Sequence, residues 1–240
     1  MDYKMLTIGT IYLVLLSCTS KPKMINNGIV EMKTAFYDSR GTPSFIDLKQ
    51  VWYKDSSTIE KINRTDFLTV GSKTTVTYST LLFRFIDLRQ KIFYDYKHFS
   101  DSAMPINKAP LPDSMMTDYG WSYYSHKVRR IQGIPQELSD TLIGHLNYRR
   151  IRFNFIGDEL AKGYKIGYYR CDEKARMFSL EKSYSKKINC TMIRFEDFQY
   201  GLTIPLVTVD VEILSDSLNS EELRIFDAWQ KNLMKYPVNE

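Results

Sequence analysis

Histidine, cysteine and long apolar runs are all scarce in this chain of 240 residues, and each scarcity removes a class of function. The three histidines, His98, His126 and His145, include no two at a spacing that would put both on one helical turn or strand face, so no metal centre is expected. His98-Phe-Ser-Asp101 brings an imidazole near a carboxylate, and reads as a surface histidine at a strand end. Of the three cysteines, Cys171 and Cys190 have no histidine close by, and their spacing fits no zinc pattern. A membrane-spanning helix needs roughly 20 apolar residues. The longest apolar stretch, Met5 to Leu16, has about twelve.

One-sided charge is missing too. Lys and Arg number 33 against 28 Asp and Glu, and the net +5 is spread along the chain, which argues for no nucleic-acid partner. Catalytic patterns are equally thin. Ser179-Leu-Glu-Lys182 matches the Ser-x-x-Lys of serine acyl enzymes, without that family's companion motifs. Asp172-Glu173 and Glu196-Asp197 are adjacent carboxylates, which on a strand point to opposite faces and are read as solvated turn and edge charges. With no nucleophile, base and orienter that can be placed together, no catalytic residue and no cofactor is assigned.

The N-terminus is more informative. Lys4, an apolar core from Met5 to Leu16 and small Ser17 form a signal-peptide profile over residues 1–17. The junction Leu15-Leu16-Ser17-Cys18 resembles the lipobox of bacterial lipoproteins, with Leu16 larger than the residue usual there. That resemblance implies cleavage before Cys18, acyl chains on its thiol and amine, and a protein anchored in the cell envelope, facing periplasm or cell surface. Several chains on one residue hold a protein durably, where one is marginal. Residues 18–27, with Thr19-Ser-Lys-Pro-Lys23, read as a polar tether, and residues 28–240 as a single β-rich domain. In an exporting compartment disulfides persist, so Cys171 and Cys190 are expected to be bonded to each other. Closing a loop of that size contributes about 3 kcal/mol on the chain-entropy estimate.

Aromatic side chains are plentiful, with 17 tyrosines and 13 phenylalanines, and favour strands. Period-two alternation marks Gly28 to Tyr37, with Val30, Met32, Thr34 and Phe36 on one face, and Asp38-Ser-Arg-Gly41 turns the chain. Asp47 to Lys54 and Thr58 to Ile62 continue a meander, and Thr74 to Leu88 followed by Ile92 to Phe99 makes the clearest hairpin. Between Ser100 and Leu142 the period fades and prolines punctuate a crossover, in which Leu111 to Tyr124 could supply a helix and a lid. Strands are expected again at Leu146 to Ile156, Tyr164 to Cys171, Ala175 to Tyr184, Lys187 to Phe198 and Ile204 to Leu214. Asn219-Ser-Glu-Glu222 is a capping box, and Leu223, Phe226, Trp229 and Leu233 share one face of a terminal helix stopped by Pro237. The fold class is α+β, mainly β: a curved antiparallel sheet or half-open barrel with a C-terminal helix and a helical or loop crossover.

Ile166-Gly-Tyr-Tyr-Arg-Cys171 with Lys174-Ala175, and then Gly201-Leu-Thr-Ile-Pro-Leu-Val207, resemble the GLPGLI family of exported Bacteroidetes proteins. Members carry a Gly-Tyr-basic-Cys-x-x-Ala stretch and later the namesake motif before a strand. Here the second glycine of that motif is missing and Thr203-Ile204 intervene. Val51-Trp-Tyr-Lys-Asp-Ser-Ser57 and the long hairpin are similar in order to the family. The resemblance implies no established activity, and a curved sheet similar to the lipoprotein-carrier (LolA-like) fold, whose concave face binds acyl chains.

Phe93, Tyr94, Tyr96, Met115, Met116 and Trp121 form an aromatic and methionine inventory that could line an apolar ligand site or simply fill a core. The pairs Arg129-Arg130 and Arg149-Arg150 could face anionic headgroups or keep a strand edge soluble. The function expected is noncatalytic binding of an apolar (acyl) ligand or an envelope partner protein, ahead of a structural subunit of a surface complex and of a hydrolase; the oligomeric state is open. Lipidation is directly testable: Cys18→Ala should move the protein from the membrane to the soluble fraction and leave the precursor without acyl mass. Unchanged membrane association and an unchanged precursor mass would remove the anchor.

Overall fold

The computed structural model describes residues 26–70, 73–111, 130–156, 163–171 and 182–235. Its strands are β1 (Asn27–Tyr37), β2 (Pro43–Lys54), β3 (Ser57–Val70), β4 (Lys73–Asp87), β5 (Ile92–Tyr96), β6 (Pro105–Pro110), β7 (Arg130–Ile143), β8 (Leu146–Ile156), β9 (Gly163–Arg170), β10 (Thr191–Gln199) and β11 (Val207–Ser215). Two helices accompany them, α1 (Lys182–Ile188) and α2 (Ser220–Lys235). The strands form one curved, unclosed antiparallel sheet in the order β6-β5-β4-β3-β2-β1-β11-β10-β9-β8-β7. The chain therefore meanders outward from β1 to β6, crosses to the far edge, and meanders back from β7 until β11 lies against β1. The expected signal peptide, Cys18, the expected tether as far as Ile25 and the expected Leu111-to-Tyr124 helix beyond Leu111 fall outside the described residues.

Turn chemistry sets the first hairpin. The Asp38 carboxylate accepts the backbone N–H groups of Arg40 and Thr42, both at 2.9 Å, and Gly41 takes a φ of 80° that a side chain would oppose. The hydrogen bond from Thr42, followed by the Arg40 interactions, holds the Asp38 carboxyl below the usual carboxylate range despite some burial. Across the sheet, residues paired in antiparallel register share a face. On that basis Val30, Val51, Met32, Val209 and Val211 lie on one face, and Ile29, Trp52, Ile59, Phe85 and Tyr94 on the other.

Each face is apolar over only half the sheet. On the first, Val30, Val51, Tyr53, Ile151, Phe153, Tyr169, Met192, Val209 and Val211 form a core closed by Tyr184 and Ile188 of α1. On the second, Trp52, Ile59, Phe85, Ile92, Tyr94 and Tyr96 pack with Ile225, Phe226 and Trp229 of α2. The capping box starts α2 as its sequence predicts: the Glu222 N–H donates to Asn219 Oδ1 at 2.9 Å and the Asn219 N–H to Glu222 Oε2 at 2.8 Å. Glu222 also accepts the Trp52 indole N–H at 2.9 Å, which ties the first turn of the helix to β2.

The return strand expected to begin over Thr58 to Ile62 is β3, which runs on to Val70. Three sequence expectations change. Inside the supposed crossover lie β6 and β7. β6 has proline at both ends, tolerable at a sheet edge where a missing N–H costs nothing. β7 is broken by register shifts between Gln132 and Gln136 and between Leu138 and Thr141, which erase period two. The strand expected over Ala175 to Tyr184 is overturned at its end, where Lys182–Ile188 is helical; Tyr184 and Ile188, four apart, share the face turned to the core. For the same reason β10 begins at Thr191 and not at Lys187.

Trp229 is the centre of the helix contact. It is 0 % exposed, lies 3.8 Å from the Tyr96 ring at 3° to it, meets Phe85 and Phe99 edge-on, and donates its indole N–H to the Ser100 carbonyl at 2.9 Å. Trp229→Ala should lower the unfolding free energy by about 3–5 kcal/mol in urea titration, as for other buried large-to-small changes. A loss under about 1 kcal/mol would mean that α2 does not seat the sheet.

Candidate functional site

Of the six residues expected to form an apolar ligand or core face, Met115, Met116 and Trp121 lie outside the described residues, while Phe93, Tyr94 and Tyr96 belong to β5. Neighbouring strand residues point to opposite faces, so Phe93 parts from the tyrosines. Tyr94 and Tyr96 are 1 % and 0 % exposed and lie under α2, and burial alone pushes the Tyr94 phenol above its ordinary pKa. The space beside Tyr96 is occupied by the Trp229 indole. Phe93 lies on the other face with Ile86 and Leu111, and the Arg84 guanidinium sits 4.2 Å from its ring centroid.

On the face opposite α2 an ionic row crosses strands β2 to β6. Lys49 meets Glu60 at 3.2 Å; Arg84 grips both oxygens of Asp95 at 2.6 and 3.0 Å, and Asn107 donates to the same carboxylate at 3.0 Å. The acids are almost wholly buried, with side-chain exposures of 2 % for Glu60 and 4 % for Asp95. Sequence reasoning misses the row because Phe83-Arg84-Phe85 and Tyr94-Asp95-Tyr96 alternate as a solvated strand face does. The only sequence signal is that these charges stand at matching places in strands that prove to be neighbours. Removing one member leaves a buried charge uncompensated.

A second polar cluster occupies α2's own face of the sheet, on the half the helix does not reach. Arg194 donates to Asp210 and to Glu196, both at 2.9 Å, and the Tyr168 hydroxyl donates to Glu196 at 2.7 Å. Glu196 is therefore not the solvated edge charge its sequence suggests: strand pairing places it in the sheet interior, with a side chain 17 % exposed. Asp197, its neighbour, does point to the opposite face. Burial and then the Glu196 hydrogen bond push the Tyr168 phenol up to about 12, and burial raises the Asp210 carboxyl against the pull of Arg194. A phenol held protonated that far above neutrality is no base at physiological pH. The cluster organises a surface.

The remaining candidates do not converge. His98 is exposed, and Asp101 is taken by Arg224 at 2.7 Å. His145 is exposed in the turn between β7 and β8, while His126 and Ser179 lie outside the described residues. Arg149 pairs with Glu137 of β7, and Arg150 donates to the Ser139 carbonyl at 2.7 Å, so this pair dresses the sheet edge; Arg129 lies outside the described residues. A groove of about 540 Å³ on the outer side of α2 is lined by Asp101, Arg224, Asp227 and Lys231, among which Arg224 pairs with Asp101 and Asp227 with Lys54. Among the described residues no group of three or more His, Cys, Asp or Glu is placed to hold a metal ion, and no helix is long and apolar enough to cross a membrane.

Cys171 and Cys190 are joined by a disulfide, with Cα atoms 4.4 Å apart. The bridge connects the end of β9 to the start of β10 and closes the loop that carries α1, whose Tyr184 ring stands edge-on to Phe153 at 5.5 Å. In β9 close approach requires glycine at Gly163, where a Cβ would run into the Phe198 backbone carbonyl, whereas at Gly167 it would meet chiefly the flexible end of Met192. Comparison of the chain with protein-family models and with curated protein sequences finds no match.

The buried phenol gives a pH signature. Below pH 10.0 the Tyr168 hydroxyl is protonated in folded and unfolded chains alike, and its contribution is complete. Between pH 10 and about 12 only the unfolded chain releases the proton, so stability falls as pH rises. Tyr168→Phe removes that component: the stability gap between wild type and variant should narrow across this window in denaturant titrations. A gap independent of pH there would contradict the buried hydrogen bond.

Proposed function

We propose that the chain is an exported cell-envelope protein, held to a membrane by lipid on Cys18, whose domain acts by binding another envelope protein and not by catalysis. The observation that carries the choice of partner is the filled tyrosine face: Trp229 stacks on Tyr96, and Phe85, Phe226 and Trp229 leave their own rings in the place an acyl chain would take. Where the interior is packed, recognition falls to strand edges and exposed side chains. The disulfide supports the exported reading, because such bonds persist in oxidising compartments. The resemblance to the GLPGLI family belongs to the same proposal: an unclosed curved sheet is the architecture that resemblance implies, with the acyl-binding role of carrier-like folds replaced here by a protein partner.

The test is native mass spectrometry of the exported protein, released from membranes in mild detergent, together with lipid extraction. The expected species carries only the acyl chains attached at Cys18, with or without a polypeptide partner. A stoichiometric lipid beyond those covalent chains would overturn the protein-partner reading in favour of an apolar ligand.

A further inference from the structure

The outward edges of this sheet are unequally protected. β6 carries Pro105, Lys108 and Pro110, and β7 carries Pro135, two register shifts and the charges Glu137 and Asp140. These are the usual devices against unwanted strand addition. β4, the longest strand among the described residues at 15, has no proline and no charge from Thr74 to Leu82, and its register shift against β3 falls at Leu81, at the end of that stretch. β3 lines one side of it throughout, but β5 pairs with the other side only from Phe83 to Asp87. From Lys73 to Leu82 no strand among the described residues lies against that second side. The sequence there, Thr74-Thr-Val-Thr-Tyr-Ser-Thr-Leu-Leu82, contains no charge, no glycine and no proline, and every residue from Thr75 to Leu81 is exposed.

The segment also stands apart from the body of the sheet. β2 pairs with β3 only over Ser57 to Glu60, after which β3 and β4 continue as a two-stranded ribbon. Side chains alone reach back, with Asn63 donating to the Leu48 carbonyl at 2.8 Å and Tyr78 to that of Ile46 at 3.1 Å. Two-stranded ribbons are marginal in water. Here Leu68, Val70, Val76, Tyr78 and Leu81, 39–70 % exposed, account for five of the thirteen exposed large apolar side chains among the described residues. An uncharged stretch of β-branched and aromatic residues on an open edge is a template for another strand.

We infer that this edge pairs with the same edge of a second copy of the chain, giving a four-stranded intermolecular ribbon. Antiparallel pairing about Thr77 is self-complementary. Thr77 stands opposite the partner's Thr77, while Val76 stands opposite the partner's Tyr78 and Tyr78 opposite the partner's Val76; all are favourable cross-strand pairs. Lys73, the only charge at the end of the segment, falls opposite the partner's Leu81, so no like charges meet. β6 and β7 offer no comparable match, because their prolines and bulges interrupt any continuous ladder. The inference needs neither the lipid anchor nor another protein partner, and fails independently of both.

Cysteine cross-linking of the full chain in whole cells and in the purified protein tests it. Thr77→Cys should give a disulfide-linked dimer under mild oxidant, seen on a non-reducing gel, whereas Ser79→Cys alone should not, because it faces the partner's Thr75. Co-expressed Thr75→Cys and Ser79→Cys chains should cross-link to each other. Adding Val76→Lys to Thr77→Cys should reduce the dimer band tenfold or more, with retention of the Cys171–Cys190 bond as the check that the domain has folded. No dimer from Thr77→Cys, or an equal band from Ile134→Cys on the guarded β7 edge, would overturn the proposal. So would dimers of Thr77→Cys and Ser79→Cys in equal yield.

Discussion

Everything in this domain is referred to one ladder, the pairing of β1 with β11 in the middle of the sheet. The strands before it and after it form two meanders, each made of neighbours in sequence, and among the described residues this ladder is where they meet. It joins partners as distant as Val30 and Ile213. Closing so long a loop costs entropy that local hairpins do not, so its formation is the slow, organising step expected for a β-rich topology. Its register also decides which way the second meander faces. A slip by one residue would turn Val209 and Val211 out of the core and Asp210 into it.

From that register follows the division of labour between the two faces. Strand alternation allows each strand two sides, and here the apolar side changes over at β2, whose Trp52 faces α2 while Val51 and Tyr53 face the α1 core. Neither helix covers the sheet alone, and each closes the core of its own half. The polar remainders are paired among themselves: Arg84 with nearly buried Asp95 on one face, and Arg194 with Asp210 and Glu196, partly open to water, on the other. Such pairs add less to stability than to specificity of register, since a displaced strand would bury a charge with no partner.

What was legible in the sequence is what depends on neighbours along the chain. Val30, Met32 and Thr34 announce β1 by period two, and Asn219 with Glu222 announces α2 because both capping hydrogen bonds lie within one turn. The disulfide partners could be proposed because only two cysteines remain beyond Cys18. β7 was hidden because its bulges destroy the alternation by which strands are recognised, and α1 because a seven-residue helix between Phe178 and Thr191 has aromatic and charged residues compatible with either period. The ionic row and the Arg194 cluster were hidden for a different reason. Their members are far apart in sequence, and nothing local distinguishes a charge that faces a partner strand from one that faces water. Tyr94 and Tyr96 illustrate the same limit, since their enrichment is visible but the helix that fills their face is contributed from more than a hundred residues away.

The central position of β1 also determines how the domain responds to force. A pull on the chain N-terminal to Asn27 acts along a strand flanked on both sides by antiparallel neighbours, β2 over its whole length and β11 over most of it. The load runs parallel to the strand and perpendicular to its hydrogen bonds, so the two ladders must yield together in shear instead of opening one bond at a time from an edge. A domain attached through an edge strand such as β6 would peel. Loaded through β1, the domain resists as a clamp, and its mechanical strength is set at that strand.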